Sequence, residues 1–298
     1  MQIEDRAKDL YTEMLLRSVD KKLKKWTVAL DTANGAQTVV MPELLTSLGL
    51  KVYQVNCDLE KPFIARDTDT DDQAKIEDLK KLVVSKKCDF GIAFDGDGDR
   101  VVFVDEKGNF IHGEYSCSLI AKDMPGENLV TTISASQVVD TIGKKVYRTK
   151  VGSPYVIEKI KEVKASFGFE PNGGAIFPDI MFTRDGGSMM IKMLNRLNHF
   201  DGTFSELVAT LPVFYMERTK VEYKWEMKDK ILDEAKKQFK GVKVEELDGL
   251  KIWQNDKTWI LFRSSMNAPE FRVFAESNEE KTAKDLLKDG MELVRKWI

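Results

Sequence analysis

The segment CDFGIAFDGDGDRVVFVDE, residues 88–106, sets two apolar runs around a polar loop of alternating aspartate and glycine. CDFGIAF (88–94) and VVFVDE (101–106) have the length and the aromatic and β-branched content of buried strands. Immediately upstream, AKIEDLKKLVVSKK (74–87) puts Ile76, Leu79, Leu82 and Val83 on one helical face. Before it come TVAL (27–30), read as a buried strand, and DTANGA (31–36), a turn signal. TVVMPELLTSLGL (38–50) follows as a helix with Pro42 in its first turn and Gly49 closing it, and KVYQV (51–55) as a second strand. Residues 5–22 read as an amphipathic helix with Ala7, Leu10, Met14 and Val19 along one stripe. The succession β-α-β-α-β predicts a mainly parallel sheet with helices on its faces.

Downstream the alternation repeats from Gly113. EYSCSLIAK (114–122) is helical, LVTTI (129–133) a strand, SASQVVDTIGK (134–144) helix-like, KVYRT (145–149) a strand and SPYVIEKIKEV (153–163) a helix. After Leu211-Pro212 the chain reads strand, helix (about 227–240), strands (around 250–263 and 271–276) and a closing helix (about 279–297). The expected fold is therefore α/β: two β-α-β domains, 1–112 and 113–212, with mixed, mainly parallel sheets sandwiched by helices, plus a C-terminal α+β domain, 213–298. A length of 298 residues accommodates that number at roughly 100–200 residues per domain.

Lys+Arg is 46 and Asp+Glu 49, a net charge of -3, which argues against a general nucleic-acid binder. No apolar run approaches the ~18 residues of a membrane span, and the acidic N-terminus lacks the apolar core of a signal peptide. Cys57, Cys88 and Cys117 are odd in number, far apart and without a CxxC, which fits a reducing cytosol and excludes a disulfide scaffold and a cysteine zinc site. With only His112 and His199, a histidine-rich metal site is excluded as well.

The loop FDGDGDR (94–100) carries the sharpest chemistry. In an extended segment Asp95, Asp97 and Asp99 would point the same way and converge. Three close carboxylates repel unless protonated or neutralised by a cation, and oxygen ligands of this kind suit Mg²⁺, Mn²⁺ or Ca²⁺. Arg100 adds a positive group at the rim, useful toward a phosphate. A solvated acidic turn competes with this reading. So does a calcium loop with Glu106 at its twelfth position, although Arg100 then stands where glycine is wanted and the flanks read as strands.

Three further segments stand out. In RSSMNAPEFRVFAE (263–276), Arg263, Ser265 and Asn267 alternate on a loop between strands, with Arg272 nearby, a composition suited to phosphate or to an ordinary polar turn. FGFEPNGGAIFPDIMFTRDGG (167–187) places Glu170 and Asn172 in a Pro-Asn-Gly-Gly turn, where a carboxylate and an amide can hydrogen-bond sugar hydroxyls or simply build the turn. Lys150, in RTKVGSP, ends a strand and either meets a phosphate or is solvated.

Taken in order, these four segments, with VALDTANGA and MPELLTSLG upstream, resemble the α-D-phosphohexomutase family, which includes phosphomannomutase and phosphoglucomutase. The resemblance runs from about residue 8 to the end. It implies interconversion of hexose 1-phosphate and 6-phosphate through a bisphosphate, with Mg²⁺ between a phosphoserine and the three loop aspartates. Asp95, Asp97 and Asp99 would be metal ligands. Glu170 and Asn172 would bind sugar hydroxyls, Arg263, Ser265 and Asn267 the non-reacting phosphate, and Arg100 and Lys150 the transferring one. The family's sugar loop usually has Ser at the place of Asn172 and often His at that of Gly174, and its phosphate loop usually has Thr at that of Asn267, which leaves mannose, glucose and glucosamine open.

The family's nucleophilic serine sits in a first domain, in a TASHNP-like segment with no counterpart in these residues. The serines of TTISASQVV (131–139) fit the start of a third domain instead. The expectation is a cytoplasmic protein with domains two to four of a mutase, inactive on its own, its catalysis either completed by a separate polypeptide carrying the phosphoserine domain or lost with that domain. The competing expectation is a phosphosugar-binding protein without turnover. A magnesium-dependent phosphatase of another fold is a weaker third, since the loop aspartates look committed to metal.

Overall fold

The computed structural model describes residues 6–62, 64, 76–265 and 268–298. The chain divides into two compact units. The first comprises Met1–Thr131, Val139–Tyr147 and Gly152–Leu211; the second comprises Thr132–Val138, Arg148–Val151 and Pro212–Ile298.

In the first unit, α1 (Ala7–Leu16) precedes β1 (Thr27–Asp31), a 3₁₀ turn at Ala36–Val39, α2 (Met41–Ser47), β2 (Lys51–Val55), α3 (Glu77–Lys86), β3 (Phe90–Phe94), β4 (Val101–Asp105) and β5 (Phe110–Ile111). The sheet order is β2-β1-β3-β4-β5, parallel across β2-β1-β3 and antiparallel from β3 onward. FGIAF and VVFVD are buried along their whole length, as central strands covered on both faces require. KVYQV has no fully buried residue, as an edge strand allows. One side is filled by Ile76, Leu79 and Val83 of the α3 region against Ala29, Ala93, Val102 and Val104.

The first helix is shorter than expected, and its stripe is misplaced. Leu10 is exposed, and the buried face runs through Leu15, with Tyr11 half-buried beside it. Residues 18–24 leave the helix because two asparagines of α6 (Gly186–Asn198) capture their backbone: Asn195 bonds Ser18 O and Asp20 N, and Asn198 bonds Lys24 N.

Next come α4 (Gly113–Asp123), β6 (Asn128–Thr132), β7 (Lys145–Thr149), α5 (Ser153–Val163), β8 (Gly168–Glu170), β9 (Gly174–Ile176), then α6 and α7 (Phe204–Val208), with sheet order β7-β6-β8-β9. The sequence analysis assigns no element to α6, although its apolar residues recur at helical spacing behind a Gly-Gly-Ser start. Met189, Met190, Ile191, Met193, Leu194 and Leu197 are all buried, and Asp185 caps the helix by accepting from Ser188 N at 2.7 Å. SASQVVDTIGK forms only a 3₁₀ turn at Gln137–Thr141. Its backbone donors go elsewhere: Gln137 N to Glu276 and Val138 N to Ser136 Oγ.

The second unit holds β10 (Tyr215–Glu222), α8 (Lys228–Gln238), β11 (Lys243–Glu245), β12 (Leu250–Asn255), β13 (Thr258–Ser264), β14 (Glu270–Ser277) and α9 (Glu280–Arg295). Its five-stranded sheet is antiparallel, in the order β10-β14-β13-β12-β11. The two helices cover one face through Ile231, Ala235, Leu286, Met291 and Val294. No helix among the described residues is long and apolar enough to cross a membrane.

Candidate active site

The aspartate loop leaves the carboxyl end of β3, the edge of an open α/β sheet where ligands usually bind. Asp95, Asp97 and Asp99 each bring one carboxylate oxygen within 4.8 Å of the others. They converge through a bend rather than through the extended alternation read from sequence. Asp95 Oδ1 accepts from Gly98 N at 3.1 Å and Arg100 N at 3.2 Å, and this folds the loop on itself.

Arg100 is not at the rim. It is buried, and its Nε donates to Asp95 Oδ2 and stands 3.5 Å from Asp99 Oδ1. Burial explains the change, because a buried carboxylate beside two others needs a counter-charge. Asp95 is pushed up to about 7 chiefly by burial, with Asp97 and Asp99 adding repulsion and Arg100 opposing. Burial raises Asp99 as well, against the pull of Arg184 and Arg100.

The turn DTANGA is the cradle of this loop. Ala36 N donates to Gly96 O at 2.9 Å, and Gln37 Nε2 donates to Gly98 O at 3.0 Å. Gln37 also reaches Tyr11 Oη, which donates to Asp185 Oδ1 at 2.6 Å. A Cβ at Gly35 would stand 2.2 Å from Gly96 O, so any side chain there displaces the loop.

Glu170 ends β8, buried, and Asn172 lies half-buried in the turn before β9, its Oδ1 accepting from Gly174 N at 3.2 Å. Val101 N donates to Gly173 O at 3.4 Å, which sets this turn against the start of β4. Arg184 joins the two loops, with Nη2 2.5 Å from Asp99 Oδ2 and Nη1 2.6 Å from Glu170 Oε2. Sequence reasoning missed Arg184, Gln37, Tyr11 and Asp185. The one local signal was an arginine just ahead of the Asp-Gly-Gly that starts α6.

Lys150, Arg263 and Ser265 belong to the second unit; Asn267 lies outside the described residues. Arg263 sits near the end of β13, paired with Arg272 across the ladder, rather than on the loop. It is buried, and its Nε donates to Asp248 Oδ2 at 2.6 Å; the same oxygen accepts from Val151 N at 3.0 Å. Asp248, also missed from sequence, thus ties the segment carrying Lys150 to Arg263. The Nε bond fixes the guanidinium plane and leaves its terminal nitrogens for a ligand. Lys150 is exposed, and Ser265 is buried with its N donating to Glu270 O at 2.8 Å.

The aspartate loop suits a small hard cation. Its donors are carboxylate oxygens, and the buried Asp99 Oδ1 has no hydrogen-bond partner. Ligand oxygens around Mg²⁺ lie about 3–4 Å from one another, so the three need close only slightly.

Residues 9–108 match the family model for phosphoglucomutase/phosphomannomutase, alpha/beta/alpha domain II, and residues 112–215 that for domain III. A phosphoglucomutase/phosphomannomutase of Thermococcus kodakarensis is 37% identical over 97% of this chain and 65% of its own length. The crystal structure of a Burkholderia thailandensis protein of the same family name superposes with a TM-score of 0.83 at 22% identity, over 96% of this chain and 64% of that one. The Aspergillus fumigatus N-acetylphosphoglucosamine mutase, solved with GlcNAc-6P and magnesium, superposes at 0.66 with 17% identity, over 97% of this chain and 64% of that one. The chain therefore spans a little under two thirds of the length of these relatives. With two consecutive family domains matched across more than half its residues, and the aspartate loop inside the first of them, the chain belongs to the phosphoglucomutase/phosphomannomutase family.

Proposed function

We propose that this chain provides the metal, sugar and distal-phosphate contacts of a phosphohexomutase interconverting hexose 1-phosphate and 6-phosphate of mannose or glucose through a bisphosphate. The observation that carries the reading is the aspartate cluster set directly against the Glu170 turn in one compact unit. In this reading Mg²⁺ is held by Asp95, Asp97 and Asp99, and when bound it neutralises charge on the phosphoryl group in transfer. Glu170 and Asn172 accept from and donate to sugar hydroxyls. Arg263, Ser265 and Asn267 take the non-reacting phosphate, with Asp248 holding the Arg263 fork in place. Arg100 and Lys150 serve the transferring phosphoryl group, and Arg100 also opposes the upward shift of Asp95. The proposed division is into a metal-loop part (1–112), a sugar-loop part (113–212) and a phosphate-loop part (213–298). The phosphoryl donor is a serine segment outside these 298 residues.

Titration calorimetry tests the reading. Mg²⁺ should bind the wild type weakly, because three carboxylates fill only part of an octahedral shell. Asp97→Asn should abolish that binding, and equal binding by both would remove the loop as a metal site. Arg263→Ala should weaken glucose 6-phosphate binding by about 1.5–3 kcal/mol, the scale of charge-assisted hydrogen bonds, while free glucose binds poorly to both proteins. Unchanged phosphosugar affinity would sink the phosphate-loop assignment.

A further inference from the structure

Arg184 spans two loops that are far apart in sequence. One arm of its planar fork is committed to Asp99 Oδ2 at 2.5 Å and the other to Glu170 Oε2 at 2.6 Å. Space for it exists because residue 174 is glycine: a Cβ there would stand 2.6 Å from Arg184 Cδ. The same Asp99 keeps its second oxygen buried without a hydrogen-bond partner. We propose that Arg184 is a positioning residue that couples cation binding at the aspartate loop to hexose-phosphate binding at the Glu170 turn. The proposal rests on the reading that these two loops hold Mg²⁺ and the sugar.

The guanidinium and a divalent cation draw on the same carboxylate charge at Asp99, so each weakens the hold of the other. A cation that takes Asp99 loosens one arm of the fork and changes how Glu170 is presented to a sugar. By linkage the influence is reciprocal: hexose phosphate on Glu170 must alter cation affinity by the same factor. Replacing the arginine then has two effects of opposite sign. The aspartate loop loses a competing positive charge and binds Mg²⁺ more tightly. Glu170 loses its clamp and binds the sugar more weakly. A variant that merely loosened the fold would lose both.

The test is calorimetric titration of Mg²⁺ and of glucose 6-phosphate, each with the other absent and then saturating. It uses the wild type, Arg184→Gln, Arg184→Lys and Gly174→Ala, all checked by thermal unfolding. Arg184→Gln should bind Mg²⁺ about 3- to 10-fold more tightly and glucose 6-phosphate at least about 3-fold more weakly, with the interdependence of the two ligands gone. Arg184→Lys keeps the charge but not the fork, so it should retain wild-type Mg²⁺ affinity and share the loss for the phosphosugar. Gly174→Ala, which displaces Arg184 without changing any charge, should also weaken the phosphosugar. Unchanged or weaker Mg²⁺ binding by Arg184→Gln would overturn the coupling if wild-type binding is still lost in Asp97→Asn. Equal Mg²⁺ binding by the wild type and Asp97→Asn would instead overturn the reading of the loop, and the coupling with it.

Discussion

Glu276→Ala is expected to destabilise the second unit by about 3–5 kcal/mol, the cost of breaking a buried, hydrogen-bonded charge from one side. Glu276 lies on β14, fully buried, and accepts from Gln137 N at 3.0 Å, Gln137 Nε2 at 3.0 Å and Trp259 Nε1 at 2.7 Å. The face of the same Trp259 ring carries the ammonium of Lys251, 3.6 Å from its centroid, and Lys251 Nζ donates to Ile133 O at 3.1 Å. Two oppositely charged side chains with no solvent exposure thus hold one indole, Lys251 over its face and Glu276 at its N–H edge, and pin residues 132–138 to the sheet. Removing the carboxylate strands three N–H donors and leaves Lys251 as a buried cation near a ring that no longer has an anchor. Glu276→Gln keeps an acceptor oxygen and should cost less, about 1–2 kcal/mol. Urea unfolding followed by tryptophan emission reads this well, since Trp225, Trp253, Trp259 and Trp297 all lie in the second unit and only Trp26 in the first. An Ala variant within about 1 kcal/mol of the wild type would mean that the cluster contributes little beyond packing.

What could be read from the sequence was what its own neighbours determine. The aspartate loop is legible because spacing and flanking strands are local, and β3 and β4 because both are short, mostly apolar runs. α5 is legible for the same reason: SPYVIEKIKEV buries Val156 and Ile160 at a helical interval, and its proline sits in the first turn. Opposite conditions hid the rest. α6 does carry an apolar face, through Met189, Met190, Met193, Leu194 and Leu197, but it opens on Asp-Gly-Gly-Ser, a turn signal that masks the helix start. Gln137 and Asn195 give their hydrogen bonds to chain far away, which ends local helix where propensity would continue it. Arg100, at the end of the polar loop, reads as a rim cation for a phosphate, yet a buried Asp95 draws it inward. Arg184 and Asp248 have ordinary sequence surroundings; only the fold sets one beside Asp99 and Glu170 and the other beside Arg263 and Val151. Single charged residues that clamp two loops carry no sequence period, and such residues set the local geometry within each unit.

A polypeptide of these 298 residues is expected to show no measurable conversion of glucose 1-phosphate to glucose 6-phosphate, with or without Mg²⁺ and hexose 1,6-bisphosphate. Phosphoryl transfer needs a donor oxygen, a charge-neutralising group and an acceptor held in line. Every side chain placed in the proposed site binds, orients or neutralises, and none is a nucleophile set against a base. Asp95 is engaged by Arg100 and two backbone N–H groups, and Glu170 and Asp99 by Arg184. The serines nearest a strand end in the second unit's leading segment are committed as well: Ser134 Oγ shares a hydrogen bond with Thr132 at 3.0 Å, and Ser136 Oγ accepts from Val138 N at 3.1 Å, both buried. In the proposed mechanism bisphosphate would not substitute for the donor, because it would act by phosphorylating a serine that must already be in place. Adding a polypeptide that carries a phosphorylatable serine segment of the family type should raise turnover by at least about a thousandfold over background, the scale on which positioning a reactive group matters. That restored turnover should be lost again in Asp97→Asn. A coupled assay for glucose 6-phosphate decides between the outcomes. Robust turnover by the 298 residues alone, abolished by Asp97→Asn, would place a nucleophile within them and refute the assignment of the donor to another segment.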